Sequence, residues 1–186
     1  MKAKLVLIAL LLCQLGFSQE THNSDDSKPK EAKYTYTKID FSVPIRANQY
    51  AGEIDPYTGE KEPWFLPDGV SGRVGFGIKA NDWISIGTNL GVDWKASECL
   101  VVVPLFGSVK INPKIGEDLR IFVEPGFGRA LTIGSNQLSG YFKKISVGVG
   151  DGKGNFGLYL ELCQYGFSKN YDYKIGSFSL GMTITL

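Results

Sequence analysis

Few residues in this chain can do acid–base or nucleophilic chemistry, and their placement argues against it. The chain holds one histidine, His22, inside the polar run ETHNSDDSKPKEAK. Residues 34–186 therefore contain no imidazole, and a Ser–His or Asp–His mechanism there is excluded by composition. Glu124 and Glu161 remain as candidate carboxylates, but basic residues on comparable stretches, Arg73, Arg120 and Lys144, suit them better to charge pairing than to catalysis. The glycine-rich run from Gly148 to Gly154 lacks the spacing and the Lys-Ser/Thr ending of a phosphate loop. Its turn chemistry predicts a hairpin turn instead. Residues 151–155 fail as a calcium loop because Lys153 stands where an oxygen ligand is needed. No cluster of Cys and His has metal-ligand spacing, so no metal and no cofactor is expected.

The richest stretch for recognition is residues 48–69, NQYAGEIDPYTGEKEPWFLPDG. It is acidic, turn-rich and carries Tyr50, Asp55, Tyr57, Trp64 and Phe65, a set able to engage a protein partner, a glycan or Ca²⁺. The bland alternative is a solvated loop that Trp64 and Phe65 anchor to the surface below. No basic stripe runs along the chain, so nucleic-acid binding is not expected.

Residues 1–18 read as an export signal, with Lys2 and Lys4, an apolar run over residues 5–12, and the small-residue region Gly16-Phe17-Ser18. The apolar run is too short to span a bilayer. Cys13 follows three leucines where lipid attachment wants a small residue, so cleavage after Ser18 is the expectation. Removing Lys2 and Lys4 moves the formal charge from +1 to −1. Residues 19–33 lack large apolar side chains and are expected to form a disordered periplasmic tether.

The elements that must position the candidate residues are strands. Residues 178–186 alternate without exception: Phe178, Leu180, Met182, Ile184 and Leu186 against Ser179, Gly181, Thr183 and Thr185. Seven earlier stretches repeat this pattern, at 37–46, 72–80, 83–94, 99–111, 119–129, 140–150 and 156–167, with turn residues between them. No segment has helical periodicity. Eight hairpin-linked strands of this length predict an all-β, antiparallel up-and-down eight-stranded transmembrane β-barrel over residues 34–186.

Facing follows from composition. The second face is rich in Gly, Ser and Thr with single charges, which suits a narrow lumen and poorly suits a water-facing exterior. Asp40, Arg46, Arg73, Lys79, Asp93, Lys110, Arg120, Glu124, Lys144 and Glu161 are therefore expected inside, pairing with one another. Cys99 is expected outward and Cys163 inward, as free buried thiols with no bridge between them. Tyr34, Tyr36, Trp64, Phe65, Trp83, Trp94, Tyr141, Phe142, Tyr171 and Tyr173 are expected to form interfacial girdles. The reverse facing would give a soluble periplasmic barrel carrying a small hydrophobic ligand.

With this alternation, loop rhythm and terminal strand, residues 37–186 resemble the small eight-stranded outer-membrane β-barrel proteins of Gram-negative bacteria, of the OmpX and OmpA-transmembrane-domain type. The resemblance implies a Gram-negative outer-membrane location, contact with outer-membrane lipid, and reading of the Phe178–Leu186 strand by the barrel-assembly machinery. It also implies a structural or surface-binding role through extracellular loops. The final residue, Leu186, departs from the terminal aromatic usual in that family.

Overall fold

The computed structural model describes residues 34–133, 139–167 and 174–186; the proposed signal, the tether, Tyr171 and Tyr173 lie outside them. Nine strands form one antiparallel sheet: β1 (Thr35–Ala47), β2 (Phe65–Pro67), β3 (Gly69–Lys79), β4 (Ile84–Lys95), β5 (Leu100–Ile111), β6 (Leu119–Ile133), β7 (Ser139–Asp151), β8 (Phe156–Tyr165) and β9 (Ile175–Thr185). β1 pairs with both β2 and β3, each strand from β3 to β8 pairs with the next, and β9 returns to β1, closing an eight-stave barrel. The eight expected strands are present, with ends shifted by a few residues.

The register fixes the barrel's shape. Stepping across hydrogen-bonded partners from Thr35 leads through Ile78, Ile86, Val109, Pro125, Ile145, Leu162 and Phe178 and re-enters β1 at Ile45. That displacement is a shear of ten on eight strands, which tilts the strands steeply and leaves a lumen that side chains can fill. The short turns at 80–83, 112–118 and 152–155 share one end with the first residues of β1 and the last of β9. The 48–64 and 96–99 connections stand at the other, the hairpin end.

β2 is the element that the sequence pattern hid. It pairs with the last residues of β1 at Ile45, Arg46 and Ala47, on the same edge that β3 occupies lower down. β2 and β3 thus form one bent strand interrupted by an extra residue at Asp68-Gly69, a β-bulge. Gly69 has φ +134°, and a Cβ there would stand 1.9 Å from the Trp94 carbonyl oxygen, so only glycine fits.

The expected facing holds along the wall. Phe178, Leu180 and Ile184 point outward and exposed, as do Val74, Phe76, Leu90, Val147, Leu158, Leu160 and Leu162. Arg73, Asp93, Glu124, Lys144 and Glu161 are buried inside. A contiguous apolar exterior of this extent has no place in water and is a lipid-facing belt. The ligand-carrier alternative requires the opposite arrangement and an open lumen.

Several residues depart from the expected faces. Arg46 and Lys79 are exposed, because parity sets only a side and both lie at strand ends, beyond the enclosed part of the lumen. Tyr36 and Phe142 are buried in the lumen, whereas Tyr34, Trp83 and Trp94 are exposed at the barrel's ends as girdle positions require; Trp64 and Phe65 are exposed too, in and just after the 48–64 connection. Both thiols are free, but Cys99 is exposed in the 96–99 turn with φ 47°, and only Cys163 is buried.

Placing a charge on the belt tests its identity directly. Leu160, midway along the outer face of β8, should tolerate Arg badly, losing about 2–4 kcal/mol as expected at a bilayer midplane. Urea unfolding in lipid vesicles reads this; an unchanged midpoint for Leu160→Arg would mean that the face does not meet hydrocarbon.

Candidate functional site

Two features gather the residues singled out from the sequence: an ion network in the lumen and a hairpin above it. The network is built by alternate residues of β1, β3, β4, β6, β7 and β8. Arg73 lies at its centre, donating from Nε and Nη2 to Asp93 at 3.0 Å each and from Nη1 to Glu161 at 2.7 and 2.8 Å. Lys144 stands 3.0 Å from Glu161 and 3.7 Å from Glu124. Lys38 bonds Glu124 and stands 3.1 Å from Asp40. Tyr165 donates its hydroxyl to Asp93 at 2.5 Å, and Ser146 donates to Glu161 at 3.2 Å.

The arrangement is one of mutual satisfaction. Three cations and four carboxylates alternate across the axis, and their side chains are nearly inaccessible to solvent. Geometry of this kind braces a barrel from within, although among the described residues Asp40 Oδ1 has no hydrogen-bond partner. Arg73, Glu124, Lys144 and Glu161 meet in this network. Arg120 does not join them. It sits half-buried at the turn end, where its guanidinium donates to the carbonyls of Gly152 (2.9 Å), Asp82 (2.8 Å) and Asn112 (3.3 Å), tying three turns together.

Above the network the lumen is aromatic, which the count of small residues on the inner face did not suggest. Phe106, Phe142, Tyr165 and Phe167 stack with successive ring centroids 4.9, 5.3 and 5.7 Å apart. Leu100, Val102, Ala130, Cys163 and Ile175 pack around them. The inner-face signal for this plug is an aromatic at inward-parity positions of three strands, Phe106 on β5, Phe142 on β7 and Tyr165 on β8, legible once each strand's parity is fixed. Glycines make the room: a Cβ on Gly126 would stand 2.9 Å from both the Phe106 ring and the Lys144 stem.

The 48–64 connection is an ordered hairpin. Backbone bonds run from Asn48 N to Trp64 O (3.0 Å), Gly52 N to Glu62 O (3.0 Å), Glu62 N to Glu53 O (2.8 Å) and Asp55 N to Glu60 O (2.8 Å). Ile54 and Lys61 face each other as a bridge. Asn48 donates to Glu62 and to the Pro63 carbonyl, both at 3.0 Å. At the base, Asp68 accepts from the Ser97 amide (2.9 Å) and hydroxyl (2.8 Å), locking the hairpin to the 96–99 turn.

Four of the five residues proposed from the loop lie on this element, and the fifth, Phe65, begins β2 at its base. Tyr57 at the tip is 96% exposed, Trp64 70%, Phe65 67% and Tyr50 55%. Asp55 accepts the Tyr57 amide at 2.8 Å, which holds its carboxyl below the usual carboxylate range and keeps the tip negative. Among the described residues no three Asp, Glu, Cys or His side chains are grouped so as to hold a metal ion, which leaves the Ca²⁺ possibility without a site.

No family model and no characterised relative matches the sequence. Solved structures do. The chain is similar to the outer membrane enzyme PagL, at 14% identity and TM-score 0.53, over 79% of this chain and 98% of that one. It is equally similar to Neisserial surface protein A, at 13% identity and TM-score 0.53, over 81% and 96%. Likeness at these identities speaks to architecture alone, and with the apolar belt and closed register it gives one conclusion. The chain has the fold of the small eight-stranded outer-membrane β-barrels.

Proposed function

We propose that the protein is a non-catalytic outer-membrane barrel that holds the hairpin of residues 48–64 outside the cell as a binding element. The observation that carries this is a hydrogen-bonded loop that leaves its aromatics in solvent. An ordered hairpin that buries neither Tyr57 nor Trp64 has already met the backbone cost of presenting them. Its acids, Glu53, Asp55, Glu60 and Glu62 against Lys61, select a basic protein surface over an anionic glycan. In this reading residues 1–18 direct export, residues 19–33 form the periplasmic tether, and the Phe178–Leu186 strand is presented to the assembly machinery. PagL shows that such a barrel can carry an enzyme. Here the absence of imidazole from residues 34–186 and the closed ion network support a role without catalysis.

Cells displaying the protein should adhere to surfaces coated with a basic protein and should ignore heparin-coated ones. Replacing residues 52–62 by a two-residue turn should abolish adhesion while the barrel keeps its heat-modifiable mobility. Tyr57→Ala and Trp64→Ala should each weaken binding by about 1–2 kcal/mol, roughly 5–30-fold. Adhesion that survives the hairpin deletion, or that prefers heparin, would overturn the assignment.

A further inference from the structure

Of all outward-facing positions on the eight staves, three carry charge among the described residues: Asp151 beside a turn, and the neighbours Arg129 and Lys143. Arg129 lies on β6 and Lys143 on β7, diagonally adjacent across one ladder, since Arg129 pairs with Tyr141 and Phe127 with Lys143. Their other cross-strand partners are Leu105 and Gln164, so the register sets no carboxylate beside either cation. Two like charges side by side on an apolar wall repel each other and lose hydration together. An anion between them removes both penalties.

Depth identifies the kind of anion. Allowing for the climb that a shear of ten imposes around the barrel, both residues lie about one to two positions deeper than Trp94 and Tyr141, at the hairpin-side edge of the belt. The Lys143 ammonium turns back toward that rim, 5.1 Å from the Tyr141 ring centroid. Beneath the pair, Phe127, Ile145 and Leu162 present an unbroken apolar wall. A soluble ion has no apolar half to use this wall, whereas a lipid has both parts.

We infer that Arg129 and Lys143, with Tyr141 and Gln164 beside them, bind the phosphorylated headgroup of a lipid in the hairpin-side leaflet. The acyl chains of that lipid lie along Phe127, Ile145 and Leu162. The inference rests on the barrel's standing in a membrane. Arg can grip a phosphate through two N–H groups and Lys adds a point charge, a division of labour that suits one phosphate shared between them.

The test uses the full barrel in phosphatidylcholine nanodiscs doped with lipid A, followed by native mass spectrometry of retained lipid. The wild type should retain lipid A at least tenfold over phosphatidylcholine, and Arg129→Gln/Lys143→Gln should lose that preference while keeping heat-modifiable mobility. Equal retention by both proteins overturns the site. So does a rise in melting temperature with inorganic phosphate as large as that with lipid A, which would make it a free-anion site. Failure of the wild type to enter nanodiscs at all would instead sink the membrane reading, before lipid preference is measured.

Discussion

Arg73→Met should destabilise the barrel by about 3–5 kcal/mol, the largest loss expected from any single charge removal in this chain. Among the described residues the guanidinium is the only group that bonds both Asp93 and Glu161, and it lies over the Phe106 and Phe142 rings at 5.9 and 5.6 Å. Methionine fills much of the space and leaves both carboxylates buried. Asp93 then keeps the Tyr165 hydroxyl, and Glu161 keeps Lys144, Ser146 and the Cys163 thiol at 3.0 Å. The imbalance deepens, with Lys38 and Lys144 facing four carboxylates. Arg73→Lys should fall between the two, because it retains charge and loses the paired N–H bonds to Asp93. Urea unfolding in vesicles measures both. If Arg73→Met matched the wild type, the network would be an ornament of the lumen and not its brace.

How far such a network can be read from sequence depends on what strand alternation encodes. Period two assigns each residue to one of two faces, and it served well for the wall, where Phe178, Leu180 and Ile184 leave no ambiguity. It carries no information about height along the axis. Arg46, Lys79 and Arg120 share inward parity with Arg73, yet they fall beside the turns or beyond the enclosed lumen, and only the cross-strand register reveals it. The aromatic plug escaped for a different reason. Parity puts Phe106 on the face of Ser108 and Phe142 on that of Lys144, but it says nothing of which inner side chains touch across the lumen, and only the packing brings their rings to Tyr165 and Phe167.

The 48–64 hairpin was partly legible in the same way. Composition singled out Tyr50, Asp55, Tyr57, Trp64 and Phe65 as a solvent-facing set. It gave no sign that β2 would pair with β1, since three residues ending in proline make a poor strand signal. The bulge at Asp68-Gly69 is a consequence of register and was invisible in the pattern. Yet it stands where Asp68 accepts from Ser97 and joins the base of the hairpin to the 96–99 turn.

Phe142→Ala should cost about 3–5 kcal/mol as well, by a mechanism unlike that of Arg73→Met. Phe142 is wholly buried and lies between Phe106 and Tyr165, so truncation opens a void in a plug that closed staves cannot collapse to fill. The ring also stands over Arg73, and its loss exposes the top of the ion network to water entering from the hairpin end. Solvation there weakens the pairs that Arg73 makes, so the cavity and the electrostatic terms compound. Phe142→Leu separates them: it keeps most of the volume and shields the network, and should cost less than half as much. Equal losses for Ala and Leu would locate the effect in the aromatic ring itself, and a negligible loss for Ala would mean that the plug contributes no stability.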